Sequence, residues 1–247
     1  MRIALLADIH SNLEALAACL KHAQAAGAER FAFLGDLVGY GADPEAVLDI
    51  VMERAAEGAS VVLGNHDQAA VREGEHGMNK MAARAIEWTR GRLRPEHRAF
   101  LESLPLTARD GDCFFVHASA DAPGSWTYVS DSLHAAHSMQ QANSPYTFGG
   151  HVHEQCLYFQ GADGRPQPFR PTPGDPIPVP RHRRWLAIVG SCGQPRDGNT
   201  AACYAMLDCD RAELVFHRLP YDYSATVRKI RGSGLPERLA ARIEHGR

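Results

Sequence analysis

The sequence predicts an α/β fold in four layers, α/β/β/α, with two mixed sheets packed together and helices on both outer faces. Two observations predict it. Up to residue 63, short apolar runs alternate with amphipathic, capped segments, the pattern of a β-α-β-α-β unit. After residue 154 the pattern changes, and four strand-like runs follow with turn residues between most of them. A chain of 247 residues, 45% of them apolar, can fill one sizeable core. Residues 1–247 are therefore expected to form a single domain.

Taken in order, Arg2 to Ala7 is apolar and stopped by an acid, so it reads as a buried strand. Asn12 to Ala26 carries Leu13, Leu16, Ala17 and Leu20 at helical spacing, and Gly27 ends it. Arg30 to Leu34 is a second strand. Pro44 to Glu57 is a helix with Pro in its first turn, and Ser60 to Leu63 a third strand. Asp67 to Leu104 reads as mostly helical, broken near Gly74 to Gly77 and at Pro95. Cys113 to His117 is a strand, Ser130 to Ala142 a helix and Tyr146 to Phe148 a short strand. Gln155 to Gln160, Trp185 to Val189, Ala201 to Leu207 and Glu213 to Leu219 are the late strands. Between the first two of these, residues 161–184 hold seven of the fifteen prolines. Proline fixes φ and removes a backbone donor, so this insert is expected as an irregular surface loop or hairpin extension. A helical tail, about 222–247 and basic at its end, is expected to pack outside.

The formal net charge is −3, from 26 basic and 29 acidic residues, with no block of like charge. That argues against an extended nucleic-acid surface and for a small partner held locally. The opening apolar run ends at Asp8, too short for the core of a signal peptide, and no stretch reaches membrane-span length. The six cysteines form no Cys-x-x-Cys pair, and several lie in apolar runs. Reduced core thiols and a cytoplasmic location are the expectation.

Five fragments carry the chemistry: Asp8-Ile9-His10, Gly35-Asp36, Gly64-Asn65-His66-Asp67, His117 and Gly150-His151-Val152-His153. Each sets Asp, Asn or His directly after a short strand-like run, where open α/β sheets build their sites. Residues i and i+2 of a strand point the same way, so Asp8 and His10 reach one place, and so do His151 and His153. Asp8, His10, Asp36, Asn65, His117, His151 and His153 supply only O and N donors. Shared between two divalent ions with one bridging carboxylate, they leave room for water and substrate oxygens. The absence of cysteine disfavours structural zinc, and the imidazole–carboxylate mixture suits Mn, Fe, Zn or Co, with manganese favoured. Such a site keeps net positive charge and suits a phosphate ester.

In this order the fragments resemble the calcineurin-like metallophosphoesterases. Residues 35–41 and 190–198 are similar to a small bacterial and archaeal branch of phosphodiesterase type, with diadenosine tetraphosphate hydrolases nearby. The resemblance implies that Asp8, His10, Asp36 and His153 bind one metal. It implies Asp36, Asn65, His117 and His151 for the second, with Asp36 shared. His66 would act on the leaving group, held by Asp67 or a similar acceptor. The implied activity is hydrolysis of phosphodiester or nucleotide-type esters by a hydroxide that two metals activate. A phosphomonoesterase or phosphoprotein phosphatase is the alternative within this chemistry, and a non-catalytic metal- or nucleotide-binding regulator the alternative outside it.

Three residues stand beside this set. Tyr40 follows a Gly-rich loop after Asp36 and would line the pocket or pack. Asn12 would meet substrate or cap a helix. Arg196, in a turn between two late strands, would hold a phosphate or pair with Asp197 or another acid. The remaining histidines, 22, 76, 97, 134, 137, 182, 217 and 245, are expected at the surface.

Overall fold

The computed structural model describes residues 1–72, 74, 77–161 and 164–247. The first half runs β1 (Arg2–Leu6), α1 (Leu13–Ala25), β2 (Arg30–Phe33), α2 (Pro44–Ala56), β3 (Ser60–Val61), α3 (Asn65–Val71), α4 (Lys80–Arg90) and α5 (Pro95–Ser103). It continues with β4 (Thr107–Asp110), β5 (Cys113–Val116), α6 (Ser132–Ala142) and β6 (Tyr146–Gly149). The second half adds β7 (Gln155–Gln160), β8 (Pro166–Phe169), β9 (Pro176–Pro178), β10 (Trp185–Val189), β11 (Ala202–Asp208), β12 (Glu213–Leu219), α7 (Tyr223–Gly232) and α8 (Glu237–His245).

The strands form two six-stranded sheets, β3-β2-β1-β11-β12-β9 and β4-β5-β6-β10-β7-β8. Strand alternation sorts the core into layers. Ile3, Leu5 and Ala7 face the second sheet and pack with Phe115, Phe148, Leu157 and Val189. Ala4 and Leu6 point the other way, to Leu16, Leu20, Val47 and Leu48 of α1 and α2. Leu186 and Ile188 of β10 pack with Ala135 and Met139 of α6 on the opposite outer face. Each fully buried Leu, Ile or Phe here contributes about 1.5–3 kcal/mol. Mixed pairing places the site. β1, β2 and β3 are parallel, as are β5, β6 and β10, so each sheet sends several carboxyl-terminal ends to one rim.

The structure departs from the sequence reading in four places. Residues 161–184 hold the hairpin extension, with β8 antiparallel to β7, and beyond that reading β9 pairs with β12 of the other sheet, so the insert lengthens one edge of each sheet. Edge strands tolerate proline because one side of the strand needs no donor. The tail is two helices, broken at residues 233–236, and its apolar face covers Tyr40. β4, unread in the sequence, pairs antiparallel with β5. Among the histidines expected at the surface, His97 is fully buried beside Asp49 at 2.9 Å. His217 is half-buried, stacked on Tyr204 with ring centroids 4.6 Å apart, and His22 bonds the Tyr204 hydroxyl at 2.6 Å. His76 lies outside the described residues.

Among the described residues no helix is long and apolar enough to cross a membrane. All six cysteines are free of disulfides, and buried Cys192 meets Cys19 at 3.7 Å between sulfurs.

Candidate metal centre

The loops after β1, β2, β3, β5 and β6 bring the seven candidate donors together. The approach is not by strand alternation. Asp8, His10, Asp36, His151 and His153 all lie beyond their strands in the left-handed region, with φ of +52°, +49°, +52°, +66° and +67°. Non-glycine residues avoid this region, and such strain persists only where surrounding contacts hold it, which is most often at functional sites. Such contacts hold these residues: the Asp8 N–H donates to Gly35 O, His10 N–H to Asp36 O, and His151 N–H to the Asp8 carboxylate at 2.9 Å. Gly64 and Gly150 permit the convergence. A Cβ on Gly64 would lie 2.2 Å from Asp36 Oδ1, and one on Gly150 2.5 Å from Asp8 Oδ2.

The donors fall into two groups. In the first, His153 Nε2 is 3.4 Å from Asp8 Oδ1 and 3.2 Å from His10 Nε2. In the second, His117 Nε2 is 3.1 Å from His151 Nδ1 and 3.3 Å from Asn65 Oδ1. Asp36 Oδ2 stands between them, 3.7 Å from His10 Nε2 and 3.4 Å from His117 Nε2. Each imidazole turns its other nitrogen to a backbone carbonyl. His10 Nδ1 meets Val38 O, His117 Nδ1 Leu34 O, His151 Nε2 Trp126 O and His153 Nδ1 Gln194 O, at 3.1, 2.8, 3.0 and 2.6 Å. In a neutral ring, an N–H donated to a carbonyl leaves the inward nitrogen unprotonated, with a lone pair directed at the centre.

The charges fit a cation. Burial pushes the Asp8 and Asp67 carboxyls up, and the nearby Asp36 charge adds to both. Burial also works against Asp36, but His117, His66 and His10 around it hold it well below the usual carboxylate range. His117 is the counterpart: burial opposes its charge, and Asp36 and Asp8 nevertheless raise it to about 9. Burial drives His10 and His153 well down and His151 to about 3, so all three rings are neutral at ordinary pH. A divalent cation would take the place of the His117 proton and offset three buried acids, which is the coupling of metal binding to proton release. Buried N and O donors with inward lone pairs and no thiolate thus fit divalent transition ions.

Around the centre, several expectations change. Asp67 does not hold His66. Its oxygens accept from the N–H groups of Leu37, Val38 and Gly64 at 2.8, 3.1 and 3.0 Å, so it ties the Asp36 loop to the Asn65 loop. His66 packs edge-on to His10, ring centroids 4.8 Å apart, and against Tyr40 at 4.4 Å. Its Nδ1 is sealed under Gly39 without a partner, so Nε2 is the atom that can meet a substrate. His66 is also close enough to His10 and Asp36 to count as a donor with them. Asn12 has no atom left for substrate. Its Oδ1 accepts from Ala15 N and Thr226 Oγ1, and its Nδ2 donates to Gly193 O and the Tyr221 hydroxyl. That fills both lone pairs and both N–H groups of the amide. Tyr40 is buried, with its ring 4.6 Å from His10. Arg196 does not pair with Asp197, which bonds Arg218 instead. Its backbone N–H bonds His153 O at 3.4 Å, placing it beside the donors.

Sequence reading missed the segment after β5. Tyr128, half-exposed, stacks on His151 with ring centroids 4.0 Å apart, and Trp126 lies 6.0 Å from His117. The available signal was Trp126 and Tyr128, two aromatics in a loop made otherwise of mostly small residues.

Residues 1–212 match the model of the calcineurin-like phosphoesterase superfamily domain. The chain is 31% identical to an uncharacterized protein of Methanocaldococcus jannaschii, covering 99% of this chain and 98% of that one. The solved structure of a metallophosphoesterase from Sphaerobacter thermophilus aligns over 100% of both chains at 34% identity and a TM-score of 0.89. A hypothetical protein from Pyrococcus horikoshii shares the fold, with a TM-score of 0.79 at 20% identity over 100% of this chain and 98% of that one.

Proposed function

Because the chain belongs to the calcineurin-like phosphoesterase superfamily, whose members are metal-dependent phosphoester hydrolases, we propose that it cleaves phosphodiester or nucleotide-type esters at a dinuclear centre. One observation carries the two-metal reading: Asp36 Oδ2 lies within 3.7 Å of His10 Nε2 and 3.4 Å of His117 Nε2, between two otherwise separate donor groups. Asp8, His10, Asp36 and His153 would hold one ion, and Asp36, Asn65, His117 and His151 the other. Manganese is the favoured metal. Two such ions supply Lewis acidity toward the phosphoryl oxygens and a water acidified for attack.

The chain's own residues do the rest. Val38, Leu34, Trp126 and Gln194 carbonyls fix the four imidazoles so that no reorganisation is needed when substrate arrives. Asp67 locks two ligand loops together through three backbone N–H groups. His66 presents Nε2 toward the leaving oxygen, where a hydrogen bond or proton lowers the barrier to departure. Arg196 beside His153 would hold substrate charge, and the half-exposed Tyr128 ring stacked on His151 would meet the substrate. The substrate is a small ester.

The test is turnover of bis-p-nitrophenyl phosphate by protein loaded with Mn²⁺. We expect turnover in the wild type and its loss in Asp36→Ala. Metal-loaded wild-type protein that turns over no phosphoester overturns the proposal, and a rate on p-nitrophenyl phosphate exceeding that on the diester replaces it with the monoesterase reading.

A further inference from the structure

We infer that Arg196, Arg238 and Arg242 form a subsite for a second phosphate group, so that the favoured substrates carry a further phosphate linked to the one being cleaved. This rests on the phosphoesterase reading of the neighbouring centre.

Three arginines from distant parts of the chain share one place. Arg238 and Arg242 are one turn apart on α8, on the same face. Arg196 comes from the loop after β10, which is docked to the end of α8 by Gly198 N–H donating to Gly246 O at 2.8 Å. Arg242 lies close to Tyr40, and its charge is disfavoured first by burial and then by Arg196, with Arg238 adding to it. Tyr40 connects this cluster to the catalytic rings, 4.6 Å from His10 and 4.4 Å from His66. The Arg196 backbone N–H bonds His153 O at 3.4 Å, which sets this loop beside the donors.

What the cluster lacks is a counter-charge. Among the described residues none of the three arginines has a carboxylate partner, and the acids nearest in sequence are committed elsewhere. Glu237 and Glu244 of α8 both pair with Arg231 of α7. Asp197 pairs with Arg218. Arg196 Nε is buried with no acceptor, and its Nη2 has only the Gln194 side chain at 3.3 Å. Like charges brought together in partly buried surroundings repel unless an anion joins them. Guanidinium forks match phosphate oxygens through paired N–H donors, which makes a phosphate the fitting anion. Lying beside His153, the cluster would take a phosphate attached to the one at the metals.

The experiment titrates inorganic phosphate and imidodiphosphate, a diphosphate whose bridging nitrogen resists hydrolysis, into the manganese-loaded full chain by calorimetry. The inference expects one imidodiphosphate per chain, bound at least about tenfold tighter than phosphate. Arg242→Gln and, independently, the exposed Arg238→Gln should reduce that ratio severalfold while thermal unfolding shows a folded protein. An unchanged ratio in both variants overturns the inference. So does a wild type that binds two separate phosphates with no gain from linking them, because the cluster then takes a free ion. Turnover of bis-p-nitrophenyl phosphate, measured alongside, tests the underlying reading separately, since binding is scored whether or not the diester is cleaved.

Discussion

His66 is set apart from the other histidines of the centre by what its ring lacks. His10, His117, His151 and His153 each spend one nitrogen on a backbone carbonyl, whereas His66 Nδ1 has no partner. A side chain not tied as a ligand can be removed without dismantling the site. His66→Gln should therefore lower kcat by about 10²–10⁴-fold, the usual range for a positioned proton donor, with metal content by elemental analysis unchanged. Loss of bound metal in this variant would instead make His66 a ligand, as its proximity to His10 and Asp36 allows. His217 lies in β12, outside the loops that carry the candidate donors. Burial, with His22 beside it, lowers its pKa from 6.5 to about 4. Between those values the unfolded chain takes up a proton that the folded chain refuses, so stability falls as pH drops from about 6.5 to about 4 and is level below that. His217→Phe keeps the stack on Tyr204 and removes the proton site. Its unfolding temperature should fall less than that of the wild type between pH 7 and pH 4, and equal losses would show that His217 is not a source of acid sensitivity.

At the scale of elements, the close approach of β1 and β6 ends is what gives the candidate donors their geometry. Gly150 lies against the Asp8 carboxylate and the Ala7 methyl, and a Cβ there would be 2.5 Å from each. Gly150→Ala should overpack this junction at a cost of about 1–3 kcal/mol and displace Asp8. The expected readings are a lower urea midpoint and reduced metal content, and full metal content in the variant would show that the junction yields without disturbing Asp8. This junction also marks where sequence reading stopped. The strands were legible because Asp8, Asp36, Asn65 and His117 each stand at the end of an apolar run, and their choice as candidate donors followed directly from that. The left-handed backbone at Asp8, His10 and Asp36 was not, because local sequence gives no reason to bear that strain and only contacts from other loops impose it. Asn12 is the same lesson in reverse. Its four hydrogen bonds come partly from Gly193, Tyr221 and Thr226, far along the chain, so a residue that looked available is saturated. A helical tail was expected, but nothing in its sequence says that it divides into two helices or that the residue it covers is Tyr40.

On the scale of the whole molecule, the centre joins the two sheets. Asp8, His10, Asp36 and Asn65 follow strands of the first, and His117, His151 and His153 follow strands of the second. Only the folded chain holds these donors together, so metal binding must stabilise the fold as a unit. At free metal 100 times the dissociation constant, one site adds about 2.7 kcal/mol. For a chain of this size each kcal/mol moves the unfolding temperature by about 2–4 °C, so one ion should raise it by about 5–10 °C and a second should add to it. Calorimetric scans of chelator-treated protein titrated with Mn²⁺ measure this. Asp36→Asn should lose most of the gain, because Asp36 serves both donor groups, while His151→Ala should keep part of it, because the group of Asp8, His10 and His153 stays whole. If the two variants lose the same amount, the donors do not act as two ions sharing one carboxylate. If metal leaves the wild-type unfolding temperature unchanged, the convergence of seven donors from two sheets does not bind metal at all.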